Sequence, residues 1–195
     1  MSNTPVTAFT GLVDTVAQLV EAVADDQWTA PTPCSDWNVS QLVGHLVTGQ
    51  RVFTDVMAEQ PTSQGRPEQP AGTESTPASL KAAVRESADA LAAAFARPGA
   101  LERTVQAPIG EVPGAVALHL QTVEHLVHGW DLARATGQKA LFDDTTVERE
   151  IEFARGLVAQ LPPAPDGPFA MSRTAPADAP AIDHLAARLG REITG

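Results

Sequence analysis

Residues 114–136 read G-A-V-A-L-H-L-Q-T-V-E-H-L-V-H-G-W-D-L-A-R-A-T, a run free of proline that closes on Gly137. Glycine just past a periodic apolar segment is a helix C-cap signal, and Arg134 falls in the last turn, where a cation meets the negative end of the helix dipole. Counted by threes and fours, Gln121, Glu124, His128 and Asp131 form one polar stripe, flanked by Val123, Leu126, Val127 and Trp130. A polar stripe on an otherwise apolar helix suggests a lined cavity inside the fold. Within it, Glu124 and His128 are separated by about 40° of rotation and about 6 Å of rise, so both side chains leave the same face and can converge on one point.

Outward from this helix the same periodicity recurs. Phe9, Leu12, Val13, Val16, Leu19, Val20 and Val23 mark a helix over 7–25. After the proline-rich W-T-A-P-T-P-C-S-D-W-N, Asn38 followed by Gln41 resembles a capping box that opens a helix over 39–59. Leu80, Val84, Leu91 and Phe95, spaced by alanines, make a third helix ending before Arg97-Pro98-Gly99. Asp143-Asp144 can cap a further helix reaching about Leu161, with Val147, Ile151, Ala154, Leu157 and Val158 on its apolar face. A short helix over Ala181–Leu189 carries Ile182, Leu185, Ala186 and Leu189 and is expected to dock on the body. Residues 60–77, rich in Pro, Gly, Gln, Ser and Thr, read as an exposed mobile connection, and a proline-rich loop precedes the last helix. Between the third and fourth helices lies a short extended piece, and nowhere does period-two alternation persist beyond a few residues. The expected fold class is all-α: a four-helix bundle with additional short C-terminal helices, forming a single domain over 1–195.

A chain of 195 residues with a formal charge of −11 lacks the clustered cations that neutralise nucleic-acid phosphates. No apolar run approaches membrane-spanning length, and the start M-S-N-T-P has no signal-peptide pattern. The lone Cys34 forms no internal disulfide. A cytoplasmic protein without nucleic-acid or membrane partners, monomeric or homodimeric, is expected.

The pair Glu124 and His128 needs a third ligand to hold an ion. His45 is the best donor, because it sits in W-N-V-S-Q-L-V-G-H-L-V, a second helix whose apolar face belongs to the same core. Two nitrogens and one carboxylate oxygen leave a tetrahedral Zn²⁺ with one open position, as a reactive centre requires. The same shell also admits nickel, iron or manganese. His125 is the rival ligand, since H-x-x-H at 125 and 128 is another chelating spacing. Asp131 can accept the remaining ring N–H of His128 and fix its tautomer, or it can pair with Arg134. Gln121 extends the cavity lining. Cys34 reads as a small buried residue, Trp28 and Trp37 as packing between the first two helices, and His119 and His184 as structural or exposed. No residue beyond the ligands is assigned a catalytic role.

P-T-P-C-S-D-W-N-V-S-Q-L-V-G-H-L-V, followed in order by E-H-L-V-H-G-W-D-L-A-R-A-T-G and the closing A-P-A-D-A-P-A-I-D-H-L-A-A-R-L-G-R, resembles the mycothiol-dependent maleylpyruvate isomerase-like proteins of the DinB-like superfamily. The resemblance implies a DinB-like four-helix bundle that binds a divalent metal through a histidine of the second helix and an E-x-x-x-H pair of a later one. Those positions are His45, Glu124 and His128 here. It also implies mycothiol or a similar low-molecular-weight thiol as co-substrate, activated by the metal and transferred onto a small electrophile. The characterised isomerases carry an additional C-terminal domain supplying a catalytic basic residue. The short tail after Pro163 is not expected to replace it, so a thiol S-transferase or related isomerase reaction is expected rather than maleylpyruvate isomerisation itself. A non-catalytic metal- or small-molecule-binding module, serving sequestration or resistance, and a metal-free helical interaction protein are the competing expectations.

Overall fold

The computed structural model describes residues 4–34, 37–58, 76–160 and 171–193. The connection at 60–77, except Thr76 and Pro77, lies outside the described residues, as do the loop at 161–170 and the side chains of Leu157 and Val158.

Four long helices arise where the apolar periodicity places them: α1 (Pro5–Glu21), α2 (Val39–Met57), α3 (Pro77–Phe95) and α4 (Gly114–Thr136). Their starts follow local chemistry. Thr4 and Thr76 accept hydrogen bonds from the backbone N–H groups of Thr7 and Ser79, each just ahead of a proline in the first turn. Asn38 and Gln41 form a reciprocal capping box at the start of α2. At the other end of the bundle helix that carries the polar stripe, Gly137 adopts φ +67 and its N–H closes on the Ala133 carbonyl.

In the bundle α1 and α2 each contact both α3 and α4, so α3 and α4 lie on opposite sides of the α1/α2 pair. Leu12, Val16, Val20, Leu42, Val43, Leu46, Leu126 and Val127 fill one part of the interior, and Phe9, Val52, Phe53, Leu91 and Phe95 fill another. Burying aliphatic and aromatic side chains on this scale is what stabilises so alanine-rich a bundle, at about 1.5–3 kcal/mol for each large residue. The first helix ends at Glu21 rather than near residue 25, yet Val23 stays buried in the following turn.

Two further helices, α5 (Asp144–Gln160) and α6 (Ala181–Arg188), pack on α4 and on each other. Asp143 caps α5 by accepting from the Thr146 N–H at 2.9 Å. His119 and α5 are joined by a 2.8 Å contact from its Nδ1 to the buried Glu150, with the ring stacked on Phe153. The extended piece is in fact an antiparallel hairpin, β1 (Thr104–Ala107) with β2 (Gly110–Pro113). Val105 and Ala107 point inward and Gly110 takes the positive φ of its tight turn. No helix among the described residues is long and apolar enough to cross a membrane.

Candidate metal centre

Glu124 projects from α4 into the contact with α2, and its Oε2 lies between two imidazole nitrogens, 3.3 Å from His45 Nε2 and 3.4 Å from His128 Nε2. One ligand atom from each of the three residues falls within 4.8 Å of the others. The two rings meet edge to face with centroids 4.9 Å apart. Contacts of 3.3–3.4 Å are long for charge-assisted hydrogen bonds, which run at about 2.7–2.9 Å. They match the edge of a tetrahedron of donors about 2.0–2.1 Å from a central Zn²⁺, which is about 3.3–3.4 Å. The donor set and its spacing therefore fit a divalent ion.

Electrostatics fit as well. Burial alone would raise the Glu124 carboxyl, but the hydrogen bonds and charges of His128 and His45 outweigh it and hold the group well below its usual 4.5. For His128 burial pushes the imidazole down, while Asp131 and Glu124 pull it above the usual 6.5. Two carboxylates, Glu124 and Asp131, face one guanidinium around the imidazoles, so a bound cation would offset the excess negative charge.

Asp131 lies where the sequence placed it, three residues past His128. Its fully buried carboxylate accepts from His128 Nδ1 at 3.1 Å, which leaves Nε2 of the neutral ring facing Glu124. Of the two readings offered for Asp131, the contact with His128 is present, and its cationic partner is not Arg134. Asp131 pairs with Arg191 of the C-terminal segment, whereas Arg134 reaches over the Trp130 ring at 5.3 Å. Local spacing offered Arg134 at i+3, and the fold supplies Arg191 at 2.7 Å from sixty residues away.

His125 is turned away from the trio. Its Nδ1 donates to the Gln121 carbonyl at 2.7 Å, its Nε2 meets the Gln50 amide at 3.0 Å, and Gln50 is in turn held by Ser87 of α3. Phe9 packs edge-on against the ring, and burial lowers its pKa to about 4 despite the Gln121 bond. Both ring nitrogens are thus engaged inside the bundle. Gln121 is buried beside it.

For two residues near the trio the sequence carries no sign of their place at the site. The Trp37 ring lies tilted against His45, centroids 4.3 Å apart, and 5.6 Å from His128, because the loop before α2 is drawn back by the Pro31–Asn38 bridge and by the Thr32 hydroxyl on the Trp37 carbonyl. It does more than join α1 to α2. Arg191 is the other. Cys34 also comes within 4.8 Å of His128 and Asp131. An open cleft of about 430 Å³ nearby is lined by Pro31, Pro33, Trp130, Arg134 and Glu192 among others, and includes none of the trio.

A family model described as the mycothiol maleylpyruvate isomerase N-terminal domain matches residues 9–133, which span α1 to α4 and all three candidate ligands. The chain belongs to this family. Within reach of its sequence is an uncharacterized protein of Mycobacterium tuberculosis, found in strains CDC 1551 / Oshkosh and ATCC 25618 / H37Rv. It is 36% identical over 189 residues, covering 97% of this chain and 98% of the relative. Among solved structures, a mycothiol-dependent maleylpyruvate isomerase aligns at TM-score 0.66 and 17% identity over 80% of this chain and 70% of its own. A single-site mutant of a mycothiol-dependent maleylpyruvate isomerase aligns at 0.66 and 16%, over 80% and 71%. The family fold is thus the DinB-like bundle described above. The family match stops before α5, so the segment bearing Arg191 lies outside it.

Proposed function

We propose that His45, Glu124 and His128 hold one divalent metal ion, zinc being the ion their donors suit best. In this reading the centre serves a thiol S-transferase or isomerase that joins a low-molecular-weight thiol of the mycothiol type to a small electrophile in the cytoplasm. The observation that carries it is the Glu124 carboxylate forked between two imidazole nitrogens at the tetrahedral spacing. Support for the thiol comes from the family to which the chain belongs.

A bound zinc ion supplies the Lewis acidity that brings a thiol to its thiolate near neutral pH. The protein does the rest. His45 and His128 present ring nitrogens from two different helices, so the site exists only when α2 and α4 pack. Asp131 keeps the Nδ1 proton of His128 away from the metal side of the ring. Trp37 covers the His45 ring and limits water on that face. Glu124, with 40% of its side chain exposed, marks the side from which a thiol can approach.

Thermal unfolding of zinc-loaded and chelator-treated protein, each with and without mycothiol, tests the pairing of metal and thiol. A native-state ligand raises the melting temperature as its concentration passes the dissociation constant. Mycothiol is expected to stabilise the zinc form only. Equal stabilisation of both forms, or none, would remove the metal-bound thiol from the account.

A further inference from the structure

Asp131 is a fully buried carboxylate with three polar contacts. Its Oδ2 accepts from His128 Nδ1 at 3.1 Å and from Arg191 Nη2 at 2.7 Å, and its Oδ1 accepts from Arg191 Nε at 3.2 Å. The third guanidinium nitrogen, Nη1, donates to the Leu189 carbonyl at 3.0 Å. The guanidinium is thus anchored to its own segment on one edge and grips both carboxylate oxygens with the other.

What aims it is the end of α6. Gly190 adopts φ +92, its N–H closes on the Ala187 carbonyl, and the Arg191 N–H closes on the Ala186 carbonyl, the paired bonds of a Schellman turn. The helix is itself held against α4 by Trp130 Nε1, which donates to Asp183 at 2.7 Å. Trp130 and Asp131 are neighbours, so two contacts fix α6 and the turn after it to the turn of α4 that follows His128.

We propose that Arg191 is a positioning residue of the metal centre, acting through Asp131 to hold His128 with its Nε2 toward Glu124 and His45. The inference rests on the metal-binding reading of those three residues. A carboxylate without the guanidinium can swing away from His128 Nδ1, whereas a carboxylate held by a two-point guanidinium fork has one orientation. With Oδ2 fixed, the neutral His128 ring is confined to the tautomer that carries its proton on Nδ1 and leaves Nε2 free for a metal. The C-terminal segment, outside the part of the chain that defines the family, thereby completes the centre that the bundle begins.

The test compares wild type, Arg191→Met, Asp131→Asn and the double variant, each verified as folded by far-UV circular dichroism. Two readouts are taken: histidine ¹⁵N resonances of the metal-free protein in alkaline buffer, compared in a Glu124→Ala background that removes the carboxylate facing Nε2, and Zn²⁺ affinity with Glu124 intact by competition with a chromophoric chelator. With Arg191 present a predominant Nδ1–H tautomer is expected for His128, and in Arg191→Met a mixture of tautomers. Zinc affinity should fall about 10- to 100-fold in Asp131→Asn, the usual effect of losing an outer partner of a metal-bound histidine, and measurably but by no more than that in Arg191→Met. The double variant should bind no more weakly than Asp131→Asn alone, because Arg191 has nothing left to act through. A wild-type tautomer and affinity in Arg191→Met, or losses that multiply in the double variant, would overturn the proposal. Should Arg191→Met fail to fold, Arg191→Lys keeps the charge without the fork and is expected to show the same tautomer mixture. A single tautomer there would overturn the proposal equally. If wild type takes up no zinc, the metal reading fails, while the tautomer comparison in metal-free protein still decides what Arg191 does.

Discussion

Replacing Asp131 by alanine strikes the contact on which both the site and the C-terminal segment depend. The carboxylate is fully buried, and the Arg191 side chain opposite it is only 14% exposed. Truncation leaves a largely desolvated guanidinium without its counter-charge and removes the acceptor of His128 Nδ1. Breaking a buried pair from one side costs about 3–5 kcal/mol, against about 0–1 kcal/mol for an exposed one. For a chain of this size each kcal/mol moves the melting temperature by about 2–4 °C, so Asp131→Ala should melt roughly 6–20 °C lower than wild type. Adding Arg191→Met should recover much of the loss, since both charges are then gone. The pH dependence has a definite sign. Burial alone would raise the Asp131 carboxyl, but its bonds to His128 and Arg191 outweigh burial and lower it below the usual 3.8. The pair's contribution is therefore complete above that unfolded-state value and is lost as pH falls through the lower folded one. Urea unfolding of wild type, single and double variants, with unchanged m-values as the check on two-state behaviour, reads these differences directly. A loss below about 1 kcal/mol in Asp131→Ala, or a double variant no more stable than that single, would refute the buried-pair reasoning.

Other outcomes follow from the packing around α4. His125 has its folded-state pKa lowered from 6.5 to about 4 by burial, so the unfolded chain binds the extra proton between those values. Stability should therefore fall as pH drops from 6.5 toward 4, by up to about 3 kcal/mol, and His125→Leu should flatten that dependence while zinc binding persists. Urea midpoints across this pH range, taken on both proteins, check the slope, and a flat wild-type profile would contradict the buried neutral ring. At Gly129 an added Cβ would meet Phe142 Cζ at 2.9 Å and Val16 Cγ2 at 3.0 Å, so Gly129→Ala should lose about 1 kcal/mol net, overpacking against Val16 of α1 outweighing the gain in helix propensity. Chemical unfolding reports it, and a neutral substitution would show that the contact relaxes freely.

How much of this was legible in the sequence depended on the range of the interaction. The helices were, because apolar residues at three- and four-residue spacing and the capping pairs at Asn38 and Gly137 act within one or two turns. The hairpin was not, since four-residue strands such as Thr104–Ala107 give too few alternations to stand out from an irregular connection. Spacing brought Glu124, His128 and Asp131 onto one stripe of α4. It left His45 as the best of several distant donors until α2 was seen to pack on that stripe. Between His125 and His128, rotation about the helix axis decides, and only the core contact of His125 with Gln50 shows which ring faces inward. Arg191 follows a helix-ending glycine, a signal visible in L-G-R. Its partner, however, is fixed by where α6 docks, and a lone cation near a chain end otherwise reads as solvated.

The most direct measurement is the metal content of the gently purified protein, with the His128→Ala variant alongside. Elemental analysis after zinc reconstitution and removal of loose ions should find close to one zinc ion per chain in wild type and a small fraction of that in His128→Ala, with the variant still helical. Full occupancy in His128→Ala, or a wild-type chain that takes up no divalent ion, would contradict the assignment of His45, Glu124 and His128 as a metal centre.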